Sequence, residues 1–592
     1  MSALSLLIIF FLLPALVVIS KNVLWFVYFW QIKEYRIDRV VSYYRFDREY
    51  KPKERFEFIS KILLVGASVI LLLVPFGQLL ILIPILTYVL YVIAFQNAVR
   101  SIISKGLTRP RIKSIRNILL LTGSFSTAAI ALLIGYLIFN NNQQVAANLP
   151  ELFGGVFSDL TPSQSYAIAY AAYVLVFASI FALLLDLLTF LIVTVFVSLT
   201  EPLSQYRRQR LIKKASSIIK RNKTLRIVAV TGSYGKTTTK EMLYQILSKH
   251  FKTVKTPENK NTEVGVAMTI IDSIKQDTEV FIAEMGAYRK GEIYNSTKIA
   301  PPDISIVTAV GDQHLSIFGS VENIFHAKYE IVEGLKAEGI AVLNGNNEYC
   351  LRMAERTEHD SILYFSVNDQ IVSTTDVEPE KDSSKKFPRD NHAYAKNIKV
   401  STNGITFDFV YGRKTHKIKT DLRALHDISN LMAAMIASIK LGLSSDLVVK
   451  TVNDINIEVP YWNVREGVSG TILIDDGYNA NPVGFMEALK YLANYQTTGK
   501  RYVVTEGFIE LGRSKESRYL EMAEQIVRCA DVLVTSDKYL WSVVADIDLE
   551  FNAIYTESAK FFTGILLENL VDGDVVLLEG SLPASVLREI SE

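Results

Sequence analysis

The residues from Val230 to Lys240 read VTGSYGKTTTK, a glycine-rich turn between an apolar run and an amphipathic segment. The preceding run, 225–230, predicts a buried strand, and Lys240 to Leu247 has the spacing of a helix. A turn of this kind presents backbone N–H groups and the positive end of a helix dipole to phosphate. The stretch therefore predicts a phosphate-binding loop in an α/β domain.

The side chains of this loop suit a nucleotide with its metal ion. Lys236 can reach the terminal phosphates, and the Thr237 hydroxyl can bind Mg²⁺. Two residues separate the glycines, whereas the usual P-loop has four. We expect ATP and Mg²⁺ as cofactors, and the candidate binding residues of the loop are Gly232, Ser233, Gly235, Lys236, Thr237 and Thr238.

Chain length, net charge and cysteine content limit the classes of protein to which this chain can belong. A chain of 592 residues has room for several domains, and its net charge of +2 gives no reason to expect a nucleic-acid partner. The two cysteines, Cys350 and Cys529, argue against a disulfide framework and favour a reducing compartment.

Residues 1–200 contain long apolar runs, which predict an α-helical transmembrane region of about five helices. The candidate spans are Leu4–Trp30, Ile59–Phe76, Leu79–Phe95, Ile118–Phe139 and Ala167–Leu199. Lys and Arg are frequent in the connections 31–58 and 99–116, whereas 141–165 has neither. The positive-inside rule then places the first two connections in the cytoplasm and the N-terminus outside.

Residues 201–224 form a predicted basic linker at the cytoplasmic face. It either contacts anionic lipid headgroups or is a solvated helix face. These features predict a multi-pass plasma-membrane protein whose remaining domains are cytoplasmic.

From Leu225 onward, apolar β-branched runs alternate with amphipathic stretches, which predicts parallel sheets covered by helices. The predicted strands are 225–230, Val280–Ala283, Ile304–Ala309, Ile340–Leu343, Thr471–Ile474, Tyr502–Thr505, Val532–Thr535 and Val575–Leu578. A break near Pro460 separates a central P-loop-type α/β domain, 225–457, from a Rossmann-like α/β domain, 458–592. The polar stretch Val367–Asp390 is interpreted as a surface excursion.

Three further residues are candidates for chemistry beside the loop. Glu284 ends a predicted strand, His314 follows another, and Lys328 lies on the next helix. Ligands bind at the carboxyl ends of strands in such sheets, so we expect Glu284 and His314 to meet Thr237 at a metal site. Taken singly, each has an ordinary structural interpretation: a solvated glutamate, a structural histidine and a surface lysine.

The order of seven segments along the chain favours a functional interpretation of these residues over the structural one. The chain from 225 to 592 resembles the Mur ligase family, the ATP-dependent amide ligases that build peptidoglycan stem peptides. DDGYNANP and ELG most resemble the members that add D-alanyl-D-alanine. The matching segments are TGSYGKTTTK, TPENKNTEVGVAMTI, AEMGAYRKGEI, GDQHLSIFGSVENIFHAKYEI, HDISNLMAA, IDDGYNANPVGFMEAL and EGFIELGRSKESR.

The resemblance implies roles for individual residues. Lys236, Glu284, His314 and Lys328 would be catalytic, with Thr237, Glu284 and His314 holding Mg²⁺ and Lys328 carbamylated. The residues expected at the nucleotide from outside the loop are Asn430, Arg465, Asp475, Tyr478 and Asn479. A substrate carboxylate would attack the γ-phosphate to form an acyl phosphate, which an amine would then attack.

Several positions depart from the family pattern. Asn344–Asn347 stands where an acidic pair is usual, His426–Asp427 where His-Asn is usual, and Glu579 where a lysine is usual. Residues before 225 do not resemble the family, and membrane spans stand in place of its UDP-sugar-binding domain. The acceptor is therefore either membrane-linked or UDP-linked, with the spans anchoring the enzyme.

Several functions follow from this pattern. The first is a membrane-anchored ligase that adds an amino acid or dipeptide to a UDP-linked or lipid-linked peptidoglycan precursor. The second is a ligase of another acidic polymer, such as poly-γ-glutamate. The third is a non-catalytic nucleotide-binding membrane scaffold, and an ATP-driven transporter is the least favoured.

Overall fold

The computed structural model describes residues 3–33, 35–44, 52–73, 82–105, 118–126, 161–257, 260–311, 313, 315–357, 361–367, 391–401, 404–422, 425–455, 457, 463–477, 482–508, 515–556, 561–580, 582 and 584–591. The chain forms two compact units, Met1–Arg207 and Arg208–Glu592. The predicted excursion after Val367 lies outside the described residues.

The described part of the first unit is helical. Its helices are α1 (Ala3–Ile32), α2 (Ile37–Ser42), α3 (Pro52–Leu73), α4 (Leu82–Lys105), α5 (118–126) and the first part of α6 (Pro162–Arg221). Among the described residues, three helical stretches are long and apolar enough to cross a membrane: Leu13–Ile32, Leu82–Arg100 and Val174–Arg221. Phe58–Ser68 is apolar but shorter. The predicted span Ile118–Phe139 is described only at 118–126.

One buried carboxylate lies among these helices. Asp186 on α6 is 6% exposed, and its Oδ2 lies 2.7 Å from Lys61 Nζ on α3. Asn22 Nδ2 on α1 donates to Asp186 Oδ1 at 2.7 Å, and the Tyr91 hydroxyl on α4 donates to Oδ2 at 3.2 Å. Four helices therefore meet at one carboxylate.

The last turns of α6 belong to the second unit. Ala215 is fully buried in a core cluster of the central domain, and Ile212, Ile218 and Ile219 pack against the same cluster. The basic residues Arg210, Lys213, Lys214, Lys220 and Arg221 are exposed. The predicted linker is thus helical as far as Arg221, with an apolar face on the domain and a basic face in water.

The central domain is built on a nine-stranded sheet with the order β2-β3-β1-β4-β5-β6-β7-β8-β9. Its strands are β1 (Arg226–Thr231), β2 (Thr253–Lys255), β3 (Val280–Glu284), β4 (Ile304–Val307), β5 (Ile340–Asn344), β6 (Ile362–Val367), β7 (His392–Ser401), β8 (Gly404–Tyr411) and β9 (Lys414–Thr420). Its helices are α7 (Lys236–Leu247), α8 (Glu263–Ser273), α9 (Glu292–Ile299), α10 (Leu315–Phe318), α11 (Val321–Glu333), α12 (Glu348–Arg356), α13 (Leu425–Lys440) and α14 (Ser445–Asp454).

Both faces of this sheet are covered. Val228 and Val230 of β1 belong to one core cluster, whereas Ile227 and Ala229 belong to another. Side chains alternate between the faces of a strand, so a strand that is apolar at every position must be buried on both sides. This explains why the apolar runs predict these strands well.

The prediction of parallel sheets is wrong at one edge. Strands β1 to β7 pair in parallel, but β8 is antiparallel to β7, and β9 is antiparallel to β8. Only Gly412 and Arg413 separate β8 from β9. A connection this short can join antiparallel neighbours but cannot make the crossover that parallel strands need.

The C-terminal domain has a six-stranded sheet with the order β10-β11-β15-β12-β13-β14. Its described pairs are parallel except that β10 is antiparallel to β11, which is a second departure from the predicted parallel sheets. Its strands are β10 (Asn463–Glu466), β11 (Ile472–Asp476), β12 (Arg501–Thr505), β13 (Val532–Thr535), β14 (Asn552–Tyr555) and β15 (Val575–Glu579). A 3₁₀ turn covers Val468–Gly470, and the helices are α15 (Pro482–Asn494), α16 (Lys515–Cys529), α17 (Lys538–Ile547), α18 (Phe562–Asn569) and α19 (Ala584–Glu589).

Candidate nucleotide and metal site

The predicted phosphate loop connects β1 to α7 at the carboxyl edge of the central sheet. Gly232 has a φ of 153° and Gly235 a φ of 77°, backbone conformations that side chains disfavour. A Cβ atom would clash with Thr308 Oγ1 at the first position and with Asn430 Oδ1 at the second. The helix begins at Lys236, four residues earlier than the sequence pattern predicts.

The Lys236 ammonium group lies against its own loop. Nζ donates to the carbonyl oxygens of Gly232 at 2.7 Å and Ser233 at 3.1 Å, and to Gln313 Oε1 at 3.5 Å. Burial lowers the pKa of Lys236, and the carboxylate of Glu284 partly offsets that effect. The lysine is thus held beside the turn that it is predicted to serve.

Glu284 lies at the end of β3, directly opposite Val230 of β1. Its side chain is buried, and Oε2 accepts a hydrogen bond from Thr237 Oγ1 at 3.1 Å. Burial alone would raise the pKa of Glu284. Lys240, Lys236 and the Asn261 amide outweigh burial, so the pKa lies below its ordinary value.

Lys328 on α11 is 3% exposed. Burial, together with the charge of Lys236, lowers its pKa well below the ordinary value, although Glu284, Glu292 and Glu330 act in the opposite direction. A lowered pKa increases the fraction of a lysine that is present as the neutral, nucleophilic amine. The structure therefore brings Lys236, Glu284 and Lys328 within electrostatic range of one another.

Other loop residues have structural partners. Ser233 is buried; its Oγ accepts from the Gly311 N–H at 3.0 Å. Asn430 is 6% exposed, and its Oδ1 accepts from Thr239 Oγ1 at 3.2 Å. Asn430 therefore lies beneath the loop, where it supports the first turn of α7. Thr238 is partly exposed on that turn.

The C-terminal candidates are described in part. Arg465 Nη2 lies 3.5 Å from Asp475 Oδ2, across the antiparallel pair of β10 and β11. Burial raises the pKa of Asp475, and Arg465 partly counteracts it. His314, Tyr478 and Asn479 lie outside the described residues. Within the described ranges, no group of three His, Cys, Asp or Glu side chains is placed to hold a metal ion.

The sequence interpretation missed two features. Lys240 is fully buried and lies 3.1 Å from Glu284, although a lysine one turn into a helix is ordinarily a surface residue.

Asp476 and Glu579 are neighbours in register on β11 and β15. Burial raises the pKa of both, that of Asp476 to about 6. The quoted motifs contain Lys240 and Asp476, but nothing in their spacing shows that either side chain is buried.

Comparison with known proteins covers the same two domains. The Mur ligase middle domain matches residues 230–438, and the Mur ligase, glutamate ligase domain matches 462–582. The UDP-N-acetylmuramoyl-tripeptide--D-alanyl-D-alanine ligase of Bacillus subtilis (strain 168) is 27% identical over 361 residues, 60% of this chain and 73% of the relative. The Escherichia coli (strain K12) ligase of the same name is 28% identical over 299 residues, 50% of this chain and 61% of the relative.

A solved structure of a MurF ligase is also similar to this chain. The Thermotoga maritima MurF ligase in complex with ADP has a TM-score of 0.53 and 26% identity, and the similarity covers 64% of this chain and 82% of that chain. The chain spans only about three fifths of the Escherichia coli relative. The two matched domains together make up more than half of the chain. The chain therefore belongs to the Mur ligase family, whose members are ATP-dependent ligases.

Proposed function

We propose that this protein is a membrane-anchored, ATP-dependent amide ligase that adds D-alanyl-D-alanine, or an amino acid, to a peptidoglycan precursor. The observation that carries the proposal is the meeting of Lys236, Thr237 and Glu284 at the carboxyl ends of β1 and β3. The relatives named for D-alanyl-D-alanine addition supply the substrate class.

The residues at this edge fit Mg²⁺ bound to a nucleotide. The Thr237 hydroxyl and the Glu284 carboxylate, 3.1 Å apart, are the hard oxygen ligands that this ion prefers. His314 is the third proposed ligand. When bound, Mg²⁺ would supply positive charge to the transferring phosphoryl oxygens.

The proposed reaction has two steps. A carboxylate oxygen of the acceptor attacks the γ-phosphorus of ATP, the bond from that phosphorus to the bridging oxygen of ADP breaks, and an acyl phosphate forms. The amine of the second substrate then attacks the acyl carbon, its carbon–oxygen bond to phosphate breaks, and the nitrogen loses a proton. Lys236 contributes a fixed positive charge beside the phosphate being transferred.

The environment of Lys328 supports its proposed carbamylation. A neutral amine can attack carbon dioxide, forming a carbamate and releasing one proton. Burial lowers the pKa of Lys328, which favours the neutral amine over the ammonium form. The carbamate would replace this buried amine with an anion that faces the metal site.

The C-terminal domain is proposed to bind the nucleoside through Asp475, Tyr478 and Asn479. The ion pair between Arg465 and Asp475 supports this role, because it fixes the start of that domain near the end of β11. Closure of the two domains would exclude water from the acyl phosphate.

Membrane anchoring is the part of the proposal that rests on the first unit. Three helical stretches have the length and composition of membrane spans. A membrane-bound ligase could take a lipid-linked acceptor, or remain near the later steps that use one while acting on a UDP-linked acceptor.

The test is phosphate release from ATP by the full-length protein in detergent. The acceptor is UDP-linked or lipid-linked muramyl tripeptide, and the amine is D-alanyl-D-alanine. We expect turnover that needs both substrates and is lost in Lys236→Ala. Lys249→Ala, which changes an exposed lysine just after α7, is the matched control.

Other outcomes separate the alternatives. Turnover with poly-γ-glutamate and glutamate, but not with muramyl peptides, would replace the proposed substrate. Tight binding of ATP without turnover on any acceptor would favour a nucleotide-binding scaffold.

A further inference from the structure

Lys240 is a buried lysine that the proposed reaction leaves without a role. It lies on α7, one turn beyond Lys236, and its side chain is fully buried. Its Nζ lies 3.1 Å from Glu284 Oε2 and 3.4 Å from Glu241 Oε1. A buried ammonium group is unfavourable unless an acid balances it, so these two contacts explain why the lysine can be buried.

The two acids differ in what else they contact. Glu241 is 13% exposed at its side chain, and it also pairs with Lys255. Glu284 is 3% exposed at its side chain, and Lys240 is the cation in direct contact with it among the described residues. Glu284 therefore depends on Lys240 more than Glu241 does.

The Glu284 carboxylate is held on both oxygens. Asn261 Nδ2 donates to Oε1 at 3.0 Å, while Thr237 and Lys240 contact Oε2. The backbone oxygen of Asn261 also accepts from the Gly286 N–H at 2.8 Å, which ties that loop to the end of β3. Two hydrogen-bond donors and one ammonium group in ion-pair contact thus fix the direction in which the carboxylate points.

We propose that Lys240 is a positioning residue, which holds Glu284 against Thr237 so that the two oxygens together receive the divalent cation of a bound nucleotide. The inference rests on the proposed function, because it assigns Lys240 to the same site. In the proposed reaction Lys236, whose Nζ lies against the phosphate loop, serves the phosphate, whereas Lys240 acts through Glu284.

The experiment measures ADP binding to the full-length protein by calorimetry, with and without Mg²⁺. Lys240→Met keeps the length of the side chain and removes its charge. We expect ADP affinity in Mg²⁺ to fall about tenfold, the size of one misplaced ligand contact. Affinity without Mg²⁺ should stay unchanged, and Lys249→Met, at an exposed position, should match the wild type in both conditions.

A Glu284→Gln background tests whether Lys240 acts through that carboxylate. There, adding Lys240→Met should change ADP affinity in Mg²⁺ by less than about twofold, since coupled residues are not additive. This pair of variants also decides the question if Lys240→Met alone fails to fold, because the double variant leaves neither charge unbalanced. A further tenfold loss in that background would overturn the inference.

The outcomes for the two proposals are distinct. Equal loss of ADP affinity with and without Mg²⁺ in Lys240→Met would mean that Lys240 binds phosphate itself. An unchanged ADP affinity would mean that Lys240 does not position Glu284, and either result overturns the inference alone. Absence of ligase turnover, with Mg²⁺-dependent ADP binding that needs Lys240, would overturn the proposed function alone. No Mg²⁺-dependent ADP binding by the wild type would overturn both.

Discussion

Two buried carboxylates in this protein have the same kinds of partner but lie in different structures. Glu284 in the central domain and Asp186 in the N-terminal helices each contact a lysine, an asparagine amide and a hydroxyl group. The partners are Lys240, Asn261 and Thr237 for Glu284, and Lys61, Asn22 and Tyr91 for Asp186. The chemical types of the contacting groups therefore do not distinguish a candidate catalytic carboxylate from a structural one.

The difference lies in where the partners come from. The partners of Glu284 lie within 47 residues of it along the chain, and all are at one edge of the central sheet, beside the phosphate loop. Those of Asp186 lie on three other helices, up to 164 residues away. We infer that Glu284 serves a site at a sheet edge, whereas Asp186 holds four helices together.

The largest expected effect is on turnover. Glu284→Gln should reduce ligase turnover on the order of a thousandfold, because the amide keeps the shape but loses the charge that faces the metal. Phosphate release per folded molecule measures this loss. The thermal midpoint should also fall, because the buried Lys240 then keeps only its contact with Glu241. Normal turnover in this variant would show that Glu284 is not part of the catalytic site.

The next effect is on stability. Lys61→Met leaves the buried Asp186 without its cation, which should cost about 3–5 kcal/mol. Thermal unfolding of the full-length protein in detergent measures the loss. Lys61→Met combined with Asp186→Asn should recover most of it, because no charge is then left unbalanced.

Turnover per folded molecule separates the two carboxylates. It should be unchanged in Lys61→Met, in contrast to Glu284→Gln. The exposed Lys214→Met is the matched control for loss of a lysine. Loss of turnover in a stable Lys61→Met protein would contradict a purely structural role for Asp186.

A third buried acid, Glu579, has an acid as its neighbour instead of a lysine. Among the described residues its Oε2 has no hydrogen-bond partner, and Asp476 lies opposite it on β11. Burial raises the pKa of both groups, that of Asp476 to about 6. The folded state then binds protons more tightly than the unfolded state, so its stability falls as pH rises from about 4 through 6.

Glu579→Gln should therefore stabilise the protein at pH 8, by about 1–3 kcal/mol. The gain should shrink as the pH falls toward 4 and vanish below it, where the carboxyl groups become protonated in the unfolded state as well. Thermal midpoints at several pH values measure this. A gain of the same size at every pH would mean that ionisation of the pair is not its cause.

The sequence predicted the parts of the fold that are buried on both faces. Val532–Thr535 is a strand with the predicted bounds, and the other predicted strands lie within two residues of the observed ones at every end. Strand β9 was missed because its residues KTHKIKT are mostly polar, and four of the seven are exposed. A strand with one face in water lacks the continuous apolar run that identified the others.

The geometry of the candidate site was predictable where it depends on residues that are close together in the sequence. The loop fixes Lys236 and Thr237, and a strand end fixes Glu284. The pairing of Asp476 with Glu579 was not predictable, because 103 residues separate them and only the strand order makes them neighbours. The burial of Lys240 was missed for a similar reason, since it depends on β3 lying beside α7 and not on the helix itself.

The smallest expected effect concerns an ion pair that water reaches. Arg208 contacts Glu263, the first residue of α8, and its side chain is 40% exposed. Exposed pairs contribute less than about 1 kcal/mol, and the helix dipole still favours a carboxylate at this position. Arg208→Ala should therefore lower the free energy of unfolding by about 0.5 kcal/mol, a difference that high salt should remove. Urea unfolding at two salt concentrations measures it. A loss as large as that expected for Lys61→Met would show that Arg208 acts through packing, because an ion pair open to water cannot supply it.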